Sequence, residues 1–220
     1  MDTAPALCAL KIKEPIPQKL YKFTQKNVTL TIKSNKKVFK EFGELTFYKE
    51  GLAGPICLTL SSQINRINPA EVALSIDFKP ALSFEQLDQR LIREIQNNKS
   101  ENMYELIRKL LPGEIIDWFI NISKIDPNRI LVDLTKEERE YLLNKLKNFS
   151  LTYIGLDDIE RATVTSGGVS IKEINPNAIL LGETWADAGK LLNSNRFDSA
   201  MNYLFRKASI RFKPFSLKFI

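Results

Sequence analysis

Residues 72–96 read VALSIDFKPALSFEQLDQRLIREIQ, and the hydrophobic period changes midway through. Up to Pro80, the residues Val72, Leu74, Ile76 and Phe78 alternate with smaller or polar ones, the period-2 signature of a half-buried strand. From Ser83 onward, Leu87, Leu91, Ile92 and Ile95 recur at helical spacing. Ser83 and Gln86 form a capping box, in which the hydroxyl accepts a backbone N–H and the Gln side chain reaches back. A strand therefore stops at a proline and a helix starts behind a cap. This switch divides the chain into a β part and a helical part.

Working outward toward the N-terminus, the pattern stays β. Val28, Leu30 and Ile32 alternate with polar neighbours, and Val38–Phe42 and Leu45–Tyr48 are short aromatic-rich runs separated at Gly43. Gly51-Leu52-Ala53-Gly54-Pro55 reads as a hairpin turn feeding the apolar run Ile56–Leu60. Toward the C-terminus the pattern is helical. Helices are expected around Met103–Leu111, ending at Pro112, and around Glu114–Ile122 with Trp118 and Phe119. A second capping box, Thr135 with Glu138, opens a helix to about Lys147 with Tyr141, Leu142 and Leu146 inward. Strand character returns at Leu151–Ile154 and from about Arg161 to Ile171, interrupted by Thr165-Ser166-Gly167-Gly168.

The expected fold is α+β: a small antiparallel β-barrel with an inserted helical bundle, a return strand and a poorly ordered C-terminal tail. Residues 10–80 with 148–172 make the barrel part, 81–147 the helical part, and 173–220 a separate segment and tail. Strands that bracket a helical block bring their ends together, as suits an inserted module.

Composition removes several chemistries. The 220 residues include no histidine, which excludes Ser-His-Asp and Cys-His catalysis and His-ligated zinc. None of the nine glycines supplies G-x-G-x-x-G or G-x-x-x-x-G-K, so neither a dinucleotide fingerprint nor a P-loop is present. Cys8 and Cys57 sit among apolar neighbours and read as small buried hydrophobes. Asp157, Asp158 and Glu160 read as a solvated turn rather than a metal site. The net charge is +6, and the N-terminal lysines alternate with apolar residues as on a solvated sheet face. No nucleic-acid partner is expected. No run approaches a membrane span and no signal peptide is recognisable, so the chain reads as cytoplasmic.

Several motifs then occur in order: Pro5–Ile12, Phe42-Gly43-Glu44, Gly51–Pro55, Ser75–Leu82, Leu146–Leu151, Ala162–Val169 and Lys172–Pro176. Together they resemble the YhiN-type, or BaiN-like, family of bacterial FAD-dependent oxidoreductases, also known as aminoacetone-oxidase-like, over residues 5–176. In that family a barrel plus a helical bundle interrupts a Rossmann domain. The resemblance implies that this chain is the insert, or substrate-side region, of a flavoprotein with FAD as cofactor, an NAD(P) link and a small-molecule substrate. It also implies that the flavin-binding half is supplied elsewhere and that the chain is not active alone. Thr165, Gly167, Gly168 and Val169 lie where the insert rejoins the flavin domain and are the expected cofactor-proximal residues. Tyr48-Lys49-Glu50 before Gly51 departs from the commoner family form, which has a Thr-His pair there.

Beyond Pro176 the character changes. Gly182-Glu183-Thr184-Trp185 followed by Phe197-Asp198-Ser199-Ala200-Met201-Asn202-Tyr203 is similar to the neopullulanase and cyclomaltodextrinase branch of the α-amylase family, over about 174–208. That resemblance implies Glu183 as acid/base. Retaining hydrolysis needs a second carboxylate about 5–5.5 Å away, and the family strand bearing it has no counterpart here. The alternatives to the flavoprotein insert are therefore a glycoside hydrolase fragment or a non-catalytic interaction module. The whole reads as a chimeric fragment joined near 172–177.

Overall fold

The computed structural model describes residues 2–34 and 37–168. The chain enters through β1 (Ala4–Ala6) and β2 (Leu10–Ile12), then forms the long hairpin of β3 (Thr24–Ser34) and β4 (Lys37–Tyr48). β5 (Gly51–Ala53), α1 (Pro55–Ile64) and β6 (Ala73–Asp77) follow. Four helices come next: α2 (Phe84–Asn97), α3 (Met103–Arg108), α4 (Gly113–Ser123) and α5 (Lys136–Lys147). The chain returns as β7 (Phe149–Leu151), β8 (Tyr153–Leu156) and β9 (Val164–Ser166).

Seven of these strands form one antiparallel sheet in the order β7-β6-β3-β4-β5-β2-β8. As a hydrogen-bond ladder the sheet is open, yet its two end strands are separated only by Thr152. Leu151 pairs with Leu74 of β6, and Tyr153 pairs with Ile12 of β2. One bent stretch thus serves both edges and the sheet runs round on itself as a small barrel. Glu14 holds the bend, its carboxylate accepting the Thr152 N–H at 3.0 Å and the Thr152 hydroxyl at 2.7 Å. Leu10, Leu30, Ile32, Leu45, Phe47, Leu52 and Ile76 fill the interior, all fully buried. At Gly51 the fit is backbone on backbone: a Cβ there would lie 2.0 Å from the Leu10 carbonyl oxygen, so only glycine lets β5 reach β2.

Both capping boxes are present, Ser83 with Gln86 on α2 and Thr135 with Glu138 on α5. The antiparallel sheet, the helices between β6 and β7, and the alternation in β3 and β6 follow the expected pattern. Three local readings are corrected. Ile56–Leu60 belongs to a helix, because Pro55 sits at its first position and Ile56, Cys57, Leu60, Ser61 and Ile64 are buried at helical spacing. A five-residue run of four apolar residues and Thr59 carries no period, and the pattern emerges only over the full ten-residue element. The two runs around Gly43 form one continuous β4, with the irregularity placed on the opposite strand between Gln25 and Val28. Tyr141 faces outward, with its hydroxyl donating to the Ser123 carbonyl at 2.7 Å and Lys145 over its ring.

Barrel and helices share one core. Phe149 of β7 stacks on Phe119 of α4 (5.1 Å), meets Trp118 (5.1 Å) and meets Phe78 edge-on (5.4 Å). Trp118 in turn packs edge-on to Phe47 inside the barrel and donates its indole N–H to the Pro15 carbonyl at 3.0 Å. Arg139 and Asp88 tie α5 to α2 at 2.8 Å. Among the described residues no helix is long and apolar enough to cross a membrane.

Candidate functional site

Entry and exit of the chain lie side by side. β1 and β9 form a two-stranded antiparallel ribbon, with Ala4 opposite Ser166, Pro5 opposite Thr165 and Ala6 opposite Val164. The ribbon rests on the C-terminal end of α1. There the Asn65 amide donates to the Pro5 carbonyl at 3.2 Å, and the Arg66 guanidinium donates to the carbonyls of Asp2 (2.9 Å) and Ser166 (3.5 Å). Thr165, Gly167 and Gly168 are consecutive or nearly so along this edge. Gly167 and Gly168 both have positive φ, +99° and +103°. A Cβ on Gly167 would lie 2.3 Å from the Asp2 carbonyl oxygen and 2.7 Å from Arg66 Nη2. The glycine is thus required by both its backbone angle and its neighbours. Val169 and Glu183 lie outside the described residues, as does the segment 173–220 with the amylase-like stretch and the expected tail.

Replacing Gly167 by Ala should open this ribbon without unfolding the barrel. The expected result is at least about tenfold faster amide exchange at Ala6 and Ser166, with little change at Leu30 or Ile76. Equal protection of the ribbon in the variant would show that the close approach to Asp2 is not a constraint.

The loop between β8 and β9 is tied to the start of β2 and to the turn before β5. Asp157 donates its N–H to the Ala9 carbonyl at 2.9 Å, and Arg161 bonds the Asp157 carboxylate. Arg161 also reaches Glu50 at 2.9 Å and Asp158 at 3.4 Å, while Lys11 reaches Asp158 at 2.7 Å and Asp157 at 3.6 Å. The Lys11 hydrogen bond holds the Asp158 carboxyl below the usual carboxylate range. The expectation of a solvated turn is therefore corrected for Asp157, which is buried and ion-paired, because Lys11 and Arg161 close over it from the barrel and the loop. Glu160 makes no ion pair among the described residues, and no group there could hold a metal ion. Gly51–Pro55 is likewise not the turn itself: Lys49 and Glu50 turn the chain, and Glu50 serves this network.

Beneath the network lie Tyr48, Cys8 and Cys57. The Tyr48 hydroxyl is buried with no hydrogen-bond partner among the described residues, and burial pushes its ionisation up. The Cys8 thiol is also pushed up by burial, and its backbone N–H donates to Ser61 Oγ at 3.0 Å. Cys57 is raised by burial as well. Neither thiol is poised as a thiolate nucleophile, in keeping with their reading as buried hydrophobes.

A family model described as HI0933-like protein barrel and H2TH domain matches residues 4–164. The chain belongs to the HI0933-like family. This is the YhiN/BaiN-type flavoprotein family that the motifs resemble. The HI0933-like match begins on the first residue of β1 and ends on the first of β9, so it spans the block that the ribbon closes. Separately, a 42-residue stretch is 52% identical to neopullulanase 2 of Thermoactinomyces vulgaris. Over a stretch of the same length, the chain is 48% identical to cyclomaltodextrinase of Thermoanaerobacter pseudethanolicus. Each match covers 19% of this chain and 7% of the relative. The chain therefore spans a small fraction of the curated relatives it matches, and the amylase resemblance rests on that short stretch alone.

Proposed function

We propose that this HI0933-like block is the substrate-side insert of an FAD-dependent, NAD(P)-linked oxidoreductase, docked through its β1–β9 ribbon onto a flavin-binding half supplied elsewhere. The observation that carries the reading is the ribbon itself. Both crossings into the remainder of such an enzyme would leave from one edge, where the family match begins and ends. In this reading the domain parts are 10–80 with 148–172 and 81–147, and Thr165, Gly167, Gly168 and Val169 face the flavin.

The residues present do not make a flavin site by themselves. The side of Gly167 on which a Cβ would project is already filled by Asp2 and Arg66, and no glycine fingerprint exists to receive a pyrophosphate. No oxidoreductase step is assigned to this chain alone. Purified 220-residue protein should be colourless and should leave the absorbance and fluorescence of added FAD unchanged. Mixed with a dinucleotide-binding half of the same family, it should give a yellow complex. Tight FAD binding by the chain alone, or two folded halves that remain colourless together, would remove the proposal.

The 42-residue amylase match favours a second reading, a glycoside hydrolase fragment with Glu183 as acid/base. A lone Glu cannot run a double displacement. Release of reducing sugar from a cyclodextrin, abolished by Glu183→Gln, would establish this reading instead.

A further inference from the structure

A cleft of about 540 Å³ lies where the barrel meets the helical block, lined by residues 25–27, 78–82 and 109–112. Its walls carry three lysines and no carboxylate. Two of the lysines are already engaged, Lys26 with Glu44 at 3.7 Å and Lys109 with Glu101 at 2.6 Å. Lys79 has no ion pair among the described residues. The charge that acts on its ammonium is that of Arg90, of the same sign, and among the described residues Arg90 donates to the Lys109 carbonyl at 3.4 Å. Burial first and then Arg90 pull the Lys79 ammonium below lysine's ordinary range. A partly desolvated cation beside another cation gains most from an incoming anion.

A second polar group in the same wall lacks a partner. Gln25 Nε2 donates to the Lys26 carbonyl at 3.0 Å, but Gln25 Oε1 is buried without a hydrogen bond among the described residues. Leaving a buried acceptor unpaired costs about 1–3 kcal/mol. An incoming donor would recover this. Apart from Asn27 the remaining wall is apolar, with Phe78, Leu110 and Leu111 buried behind it. The loop that carries Lys79 is held in place from below, since Lys147 donates to the Lys79 carbonyl at 3.0 Å and the Leu82 carbonyl at 2.8 Å. The cleft is thus shaped before any ligand arrives.

We infer that this cleft binds a compact organic anion carrying its own hydrogen-bond donor beside the charge, a hydroxy-carboxylate in class, with the carboxylate set against Lys79, the donor against Gln25 and the hydrocarbon against the Phe78 side. The inference stands apart from the flavin reading, since the binding is a property of the chain without flavin.

Salicylate is the probe, titrated calorimetrically into the 220-residue protein. Saturable binding is expected, several-fold weaker for benzoate, which lacks the donor, and absent for the neutral salicylamide. Lys79→Met should weaken salicylate binding about tenfold or more, the usual order for losing one charge-assisted contact, and Lys79→Arg should retain it. Salicylamide binding as tightly as salicylate would overturn the assignment on the unaltered protein, whatever the variants do. So would a folded Lys79→Met variant with unchanged affinity, or the absence of saturable salicylate binding.

Discussion

Phe149→Ala is expected to cost about 3–5 kcal/mol, the range for emptying a large aromatic site in a packed core. Phe149 is the ring through which the barrel and the helices are joined. It is fully buried and touches Phe119, Trp118 and Phe78 at centroid distances of 5.1, 5.1 and 5.4 Å. Those rings belong to α4 and to the segment just after β6, and none can slide into the vacated volume without moving its own element. Trp118 is further held by its N–H to Pro15. The cavity should therefore persist, and the cavity cost with it. Because the same ring serves both parts, the unaltered protein should unfold in one transition, monitored by far-UV circular dichroism and by near-UV aromatic signals. The variant should lose stability in both signals together. A loss below about 1 kcal/mol, or two transitions in the unaltered protein, would show that the parts fold independently.

The fold was legible in sequence wherever a pattern ran long enough to show its period. β3 and β6 displayed their alternation, and α2 and α5 announced their first residues through Ser83–Gln86 and Thr135–Glu138. Ile56–Leu60 failed because so short an apolar run is compatible with either element, and the decision belonged to Pro55 and to the distant Ile64. Barrel closure was legible only in outline. The element order brought the ends together, but the bend at Thr152 depends on Glu14, far away in sequence. Thr165 and Gly167 could be singled out because glycine pairs advertise unusual backbone. The positive φ and the packing of Gly167 on Asp2 give this signal its physical cause. The Asp157 network and the Lys79 cleft could not be read in this way. Each assembles groups from separate elements, such as Lys11 with Arg161 or Gln25 with Lys79, and no spacing along the chain encodes their meeting.

Asp77→Ala should destabilise the protein by about 3–5 kcal/mol, because it strands a buried cation. Lys147 Nζ lies 2.6 Å from Asp77 Oδ2 and donates also to the Lys79 and Leu82 carbonyls, which uses all three of its protons. Both side chains are shielded, at 8% exposure for Lys147 and 16% for Asp77. Asp77 Oδ1 meanwhile accepts the Lys79 backbone N–H at 2.8 Å. Removing the carboxylate leaves the ammonium with two neutral carbonyls and frees the turn that follows β6. Lys147→Met should cost less, since Asp77 retains the Lys79 N–H and some access to water. The double variant should be more stable than the sum of the two losses implies, by about 1–3 kcal/mol in a double-mutant cycle from urea unfolding. Strict additivity would mean that the pair is not coupled and that the helical block is joined to β6 by other contacts, such as the Phe78 N–H to the Leu146 carbonyl at 2.9 Å. The same variants separate scaffold from ligand site. Asp77→Ala loosens the segment that presents Lys79, so salicylate affinity should fall with stability, whereas Lys79→Met should lower affinity and leave the unfolding midpoint near its original value. A Lys79→Met variant that lost stability as heavily as Asp77→Ala would make Lys79 a structural brace, with its amine required by the fold rather than left available to an anion.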